Sequence, residues 1–427
     1  MTKRGNIWNA FGNRDCMKTI ARFLFGLIIS FGTVQAQTPE LIAKADSSFY
    51  DGDFAQIISA CDLAIAEYPD TAFLYYYRGF ALSNLGKYQA AMLDFDQAID
   101  LEPIFAEPFL ERARAKYEMG FRDKAYKDIR AALKRDGNLP EAYMLRAEMY
   151  LDEEIPDLAW PDLEFARRLL PKNPEIYCLK AEYYLMLGNT KSAVKESNLA
   201  IKMAPQDALG YVSRSQVFMA MGELMAARAD IDQAITLEPL QFSLLNSRAM
   251  VLDALGDRKA AIKDLERYIS KDSLAWDAYL TRAWFSMQDS LWDEAETDLA
   301  MAKTIRSEEL TIEDQLGYLL VLKNDFPRAI TVLTAVIEKM PNNAIARANL
   351  GYAKLKIGNA EDGLKDIQRA IKMDDLEPRS YLYRAECWHV LKKPVKACED
   401  IELAKELGFV DFYGEAEWLA LKAKACD

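Results

Sequence analysis

The chain has 427 residues, 51 % of them hydrophobic and 28 % charged, with 53 Lys and Arg against 66 Asp and Glu and a formal net charge of −13. That length suggests roughly three globular domains. The acidic balance argues against nucleic acid, whose recognition needs Lys and Arg to neutralise phosphate, and against anionic lipid surfaces.

In chain order, the first feature is an export signal. Lys18 and Arg22 precede the apolar run Phe23 to Val34, followed by Val34-Gln35-Ala36. This order of charge, apolar stretch and small-residue cleavage site reads as a secretory signal peptide over residues 1–36, with Gln37 left first. The run is too short to span a bilayer easily, and no Cys follows it as a lipoprotein signal requires. Met17 opens a compact signal of its own, which predicts initiation there and makes residues 1–16 an over-called gene start. Cleavage removes a net charge of +4 and leaves −17, with no further run long enough to cross a membrane. The expected destination is the periplasm or cell envelope, a eukaryotic secretory lumen remaining open.

From residue 38 to 411 the chain repeats every 34 residues without insertion. Gly52, Gly86, Gly120, Gly188, Gly222, Gly256 and Gly358 share one column, Ala91, Ala125, Ala159 and their successors a second, and Ala98, Ala132, Ala166 and theirs a third. Gly79, Ala113, Ala147, Ala181 and Ser215 belong to a column of small residues only, and Pro69, Pro103, Pro171, Pro205, Pro239 and Pro341 close six units. One unit reads as two helices, Phe73 to Leu85 and Gln89 to Leu101, with a turn at Gly86-Lys87. Apolar residues recur three and four apart in both halves, the stripe of a helix with one buried face. Small residues are required where two axes cross closely. Gly supplies the left-handed conformation that ends the first helix, and Pro stops the second.

These positions, best displayed from Ala72 to Pro103, make the chain resemble the tetratricopeptide repeat family. The resemblance covers eleven units and implies an all-α fold, a right-handed superhelical solenoid of helix-turn-helix units that stack on their neighbours. Residues 412–427, with Trp418, Leu419 and Leu421 among charges, read as a C-terminal capping helix. Some units depart from the pattern. Glu154, Ser290, Asn324 and Lys392 stand in the Gly column and Gly363 in an Ala column, substitutions expected to blur local turns and packing.

A basic column of Lys44, Arg78, Arg112, Arg146, Lys180, Arg214, Arg248, Arg282 and Arg384 accompanies an acidic one running from Asp94 and Asp128 to Asp366 and Asp400. Val332 replaces an acid where the flanking basic sites are Leu316 and Leu350, which predicts a structural ion ladder in which each acid bridges successive repeats. Five cysteines remain after cleavage, an odd number that cannot all pair. Cys61 reads as a small buried hydrophobe. Cys387 and Cys398 fall on the two facing helices of one unit, where an oxidising compartment would permit a disulfide.

No phosphate loop, metal-ligand spacing or nucleophile elbow is present, and the only histidine is His389. No enzymatic activity, cofactor or metal is expected. In the resembled family the first helices line a concave groove that holds a partner segment. By register, that lining is Tyr76 and Phe80, Leu110 and Arg114, Met144 and Glu148, Cys178 and Glu182, Val212 and Gln216, Asn246 and Met250, Leu280 and Trp284, Asp314 and Tyr318, and Ala348 and Tyr352. The carboxylate-clamping Lys, Asn and Arg set of some members is not found among them. Trp284, Tyr318 and Tyr352 recur on consecutive units as a prospective aromatic strip. The resemblance thus implies a protein-binding scaffold or assembly factor with an unidentified protein partner. The other reading is a binder of carbohydrate or cell-wall fragments through the aromatics.

Overall fold

The computed structural model describes residues 54–307 and 309–426. The signal segment, Met17, Lys44 and the first helix of the first unit lie outside them. All regular structure among the described residues is helical. They fall into two bodies, 54–278 and 279–426, the dividing point lying within one helix.

The first body holds α1 (Phe54–Glu67), then the pairs α2 (Ala72–Asn84) and α3 (Tyr88–Leu101), α4 (Glu107–Glu118) and α5 (Arg122–Arg135), and α6 (Pro140–Asp152) and α7 (Pro156–Leu169). It continues with α8 (Pro174–Met186) and α9 (Thr190–Met203), α10 (Ala208–Met221) and α11 (Leu224–Leu237), and α12 (Ser243–Ala254) and α13 (Arg258–Lys271). The dividing point falls in α14 (Trp276–Gln288), which pairs with α15 (Trp292–Ile305). The second body continues with α16 (Leu310–Leu322) and α17 (Phe326–Lys339), α18 (Ala344–Lys356) and α19 (Ala360–Met373), and α20 (Pro378–Val390) and α21 (Pro394–Glu406). The short α22 (Phe409–Tyr413) and α23 (Glu415–Ala425) complete it. The chain is an all-α repeat protein in which each body is a stack of helical hairpins.

The turns are tighter than the sequence suggests. Gly86 and Gly222 take φ of 72° and 77°, and Glu154, Ser290, Asn324 and Lys392 take the same left-handed conformation at 57–61°. Their turns are not blurred. Two backbone bonds fix the geometry whichever residue is present: Gly86 N and Lys87 N donate to Ser83 O and Leu82 O, both at 2.9 Å, and Lys392 N and Lys393 N donate to His389 O and Trp388 O at 2.9 and 2.8 Å. The non-glycine residues therefore carry the steric cost of that region, about 1–2 kcal/mol each.

Close helix crossings explain the small column. A Cβ on Gly79 would lie 2.8 Å from the ring of Phe95, and one on Gly351 would lie 2.6 Å from the carbonyl oxygen of Gly363. Gly363 thus does not loosen its unit. It pairs with Gly351 so that the backbones of α18 and α19 meet. Phe95, Ile129, Leu163, Ile231 and Leu265 fill the interiors of their hairpins, fully withdrawn from water, each side chain contributing roughly 1.5–3 kcal/mol through burial.

The charged columns form a ladder whose bridging member is the base, not the acid. Arg78 donates from Nε and Nη2 to Asp94 of its own hairpin at 2.8 and 2.6 Å, and from Nη1 to Asp62 of the preceding helix α1 at 2.6 Å. Arg112 joins Asp128 to Asp96, Arg214 joins Asp230 to Asn198, and Arg248 joins Asp264 to Asp232. Guanidinium supplies enough donors in a fixed fork to hold two partners at once, while the acid is clasped bidentately within its own hairpin. At the exception Leu316 and Val332 pack in one apolar cluster. Asp366, facing Leu350, is reached instead by Lys354 at 2.6 Å and Arg347 at 3.7 Å.

The C-terminal cap is two helices, not one from residue 412. Gly414, at φ 82°, separates α22 from α23. Trp418 donates Nε1 to Ile401 O at 2.8 Å, and Trp418, Leu421 and Ala425 are buried against the last hairpin. The Cys387–Cys398 disulfide that the helix positions would permit does not form. Cys398 is bonded to Cys426, with Cα atoms 5.5 Å apart, because α23 brings its last turn against α21. Cys387 points into the apolar interior as a free, buried thiol, and Cys61 is also buried, in another apolar cluster.

Candidate functional site

The register positions on the first helices separate into two classes. Leu110, Met144, Cys178, Val212, Asn246 and Ala348 are buried, because first helices of neighbouring hairpins pack on one another and cover the earlier residue of each pair. The residue one turn later, Arg114, Glu148, Glu182, Gln216, Met250, Trp284, Tyr318 or Tyr352, is half-buried and reaches the surface. Leu280 and Asp314 are also half-buried. Tyr76 and Phe80 are exceptions to the expected lining. They are only 4 % and 7 % exposed, and Tyr76 packs among Phe73, Tyr77, Phe80, Phe95 and Phe105. Large rings at this place fill the interior of the body instead of presenting themselves to a partner.

In the first body this face is acidic. Glu107, Glu111, Glu141 and Glu148 all have carboxyls held above the usual range, chiefly because burial disfavours the charged form. Glu148 is pushed up to about 7, with Arg114 opposing the shift. Arg114 lies 3.7 Å from Glu111 and also favours the ionised forms of Glu141 and Glu148. Further along, Asn246 donates Nδ2 to Asp277 at 3.1 Å, and burial pushes the Asp277 carboxyl up to about 6.

In the second body the face is aromatic and carries a guanidinium. Trp284 and Tyr318 lie with ring centres 6.0 Å apart at 31°. The Arg379 guanidinium donates Nη1 to Tyr318 Oη at 2.6 Å and lies 3.9 Å from the ring centre of Tyr413. Tyr352 is turned to Tyr383, stacked at 4.0 Å and 17°. The three recurring aromatics therefore do not have one environment: Trp284 and Tyr318 form a pair, and Tyr352 is engaged with the next hairpin. Asn349, 1 % exposed, has Nδ2 without a partner, and Arg379 Nε is likewise buried without an acceptor.

Sequence reasoning missed Arg379 and the carboxylates of Glu107 and Glu141. The signal was there in the column three residues before Leu110 and its equivalents, which reads Phe73, Glu107, Glu141, Glu175 and finally Arg379. It lay one turn from the column used to trace the lining, and helix periodicity places both on one side. Among the described residues no helix is long and apolar enough to cross a membrane.

Comparison with known proteins agrees with this geometry. Tetratricopeptide repeat models match residues 72–104, 110–159, 174–207, 246–308 and 349–408, more than half of the chain. The mouse DnaJ homolog subfamily C member 7 is 28 % identical over 133 residues, 29 % of this chain and 27 % of that protein. The chain thus spans about a quarter of the length of this curated relative. Among solved structures, a tetratricopeptide repeat protein from Parabacteroides merdae shares 22 % identity with a TM-score of 0.45 over 55 % of this chain and 92 % of its own. The APC/C hetero-tetramer Cut9-Hcn1 gives 13 % identity and 0.48 over 96 % and 99 %. With its 34-residue step, left-handed turns and small-residue crossings matched by those models, the chain belongs to the tetratricopeptide repeat family.

Proposed function

We propose that the chain is an exported scaffold or assembly factor of the cell envelope that holds segments of partner proteins on its first-helix face and carries out no chemistry of its own. The observation that carries this reading is the regular return of a half-exposed side chain, from Arg114 to Gln216 in one body and from Trp284 to Tyr318 in the other, on helices whose preceding register positions are mostly buried. A partner segment crossing successive hairpins meets one such side chain per repeat, and partly exposed aromatics and arginine are the residue types that anchor protein interfaces. Export rests on the Lys18 to Ala36 signal. The test is affinity capture from the native envelope fraction with wild type and a W284A/Y318A double variant. Loss of specific partners from the variant supports the reading, and an unchanged set of captured proteins overturns it.

A second reading is supported by the Trp284 and Tyr318 pair, whose neighbouring rings would stack on sugar faces. It predicts that W284A abolishes binding to cell-wall glycan while protein partners are retained. Full glycan binding by W284A removes this alternative.

A further inference from the structure

Tyr413 ends α22 and turns its ring onto the first-helix face. It covers the Arg379 guanidinium and donates its hydroxyl to Glu377 Oε1 at 3.3 Å. The same guanidinium is bonded to Tyr318, so the chain's own C-terminal segment occupies the part of the face to which Trp284 and Tyr318 belong. Its seat is shallow. Tyr413 keeps 41 % of its surface exposed, whereas Phe409 at the other end of the same short helix is fully buried.

Two features make Tyr413 separable from the rest of the cap. Left-handed glycines, Gly408 at φ 91° and Gly414 at φ 82°, bound α22 on both sides. Beyond them α23 is fastened independently by the Cys398–Cys426 disulfide, the Trp418 bond to Ile401 and the Lys422 to Glu402 pair at 2.5 Å. Release of the Tyr413 ring therefore leaves the cap attached.

Arg379 is met by tyrosines, through the Tyr318 hydroxyl and two ring faces, while its Nε has no acceptor. Among the described residues no carboxylate comes within ion-pair distance of it, and its positive charge meets Tyr318 and Tyr413. A guanidinium held in this way accepts a flat aromatic side chain from any source, because the attraction depends on the ring quadrupole and not on chain connectivity.

We propose that Tyr413 is an internal ligand of this face, standing where an aromatic side chain of a bound partner segment stacks on Arg379, so that the cap holds the site closed until such a segment displaces it. This rests on the partner-binding reading of the first-helix face. A tethered ligand competes at high effective concentration, and the proposal therefore predicts that removing it uncovers affinity in trans.

The test uses the full oxidised chain and a fluorescein-labelled peptide with the sequence of residues 408–416, GFVDFYGEA, read by fluorescence anisotropy. Y413A is expected to bind this peptide about tenfold more tightly than wild type, with Y413F behaving as wild type. The gain should vanish in R379Q/Y413A and with a peptide carrying alanine in place of its tyrosine. Equal binding by Y413A and wild type, or a gain that survives R379Q, overturns the proposal. Should Y413A loosen the cap, as read by disulfide mapping and thermal melts, Y413L keeps an apolar side chain without a π face and gives the same decision. If W284A/Y318A loses native partners while Y413A gains nothing for the peptide, the internal-ligand proposal falls and the scaffold reading stands. If W284A/Y318A loses nothing, the scaffold reading falls with it.

Discussion

Lys392 shows how a single residue can oppose its own turn. It sits at φ 57° where six other described hairpins have glycine, and its two flanking backbone bonds hold it there. Lys392→Gly is expected to stabilise the chain by about 1 kcal/mol, since it removes a left-handed side chain without removing a contact. A thermal melt or urea titration of the variant measures it. Glu148 gives a second residue-scale case, with its sign set by burial. Its folded carboxyl titrates at about 7, above the ordinary value of 4.5, so the folded chain holds that proton more tightly than the unfolded chain does. The associated stability is present below the ordinary value and is lost as pH rises through about 7. Glu148→Gln should therefore be more stable than wild type at pH 8, by on the order of 1 kcal/mol, and equal to it at pH 4. Paired denaturant curves at the two pH values read this difference directly. Neither effect was legible in the sequence. Glu148 could be placed on the right face by register, but the depth at which its carboxyl sits depends on the neighbouring hairpins.

At the scale of the helix, the arginine ladder fastens a hairpin to the helix before it at Arg78, Arg112, Arg214 and Arg248. Asp264 receives Arg248 Nε and Nη2 at 2.7 and 2.8 Å and is itself buried. Asp264→Ala leaves that guanidinium partly uncompensated and should destabilise the chain by about 2 kcal/mol, while capture of partner proteins stays unchanged because Arg248, two residues before Met250, points to the other side of α12. Loss of partners without loss of stability would contradict the structural role of the ladder. The regular spacing of bases and acids was enough to foresee the ladder. It could not show that arginine and not aspartate reaches across the seam, because that depends on how many donors each side chain has to share. The cap illustrates the opposite limit. Cys387 and Cys398 were the natural pair by helix assignment, yet Cys387 is packed in the interior and Cys426 arrives from α23. The Cys398–Cys426 bond closes a separation of 28 residues, for which chain-entropy arguments give about 3.6 kcal/mol. Cys426→Ser should accordingly melt earlier, with the Trp418 emission shifting to the red before the main transition. Coincident transitions in the variant would show that the bond does not hold the cap.

For the molecule as a whole, the 34-residue step was the decisive signal, since a repeated unit specifies both its hairpin and the neighbour on which it packs. The candidate face was only half legible. Register identified the helix and the side, but the burial of Tyr76 and Phe80 and the turning of Tyr352 towards Tyr383 came from packing between hairpins. The partner-binding reading therefore concentrates on fewer residues than the sequence offered. The buried cysteines outside the disulfide have a consequence of their own. Cys61 and Cys178 are sealed within residues 54–278 and Cys387 within 279–426, and burial pushes the Cys387 thiol up to about 12 and that of Cys178 higher still. Native chains should thus resist alkylation, and each sulfur should become reactive only when its own surroundings come apart. Mass spectrometry of iodoacetamide-treated protein would then act as a pair of internal clocks, timing the opening of the two halves separately without any engineered label.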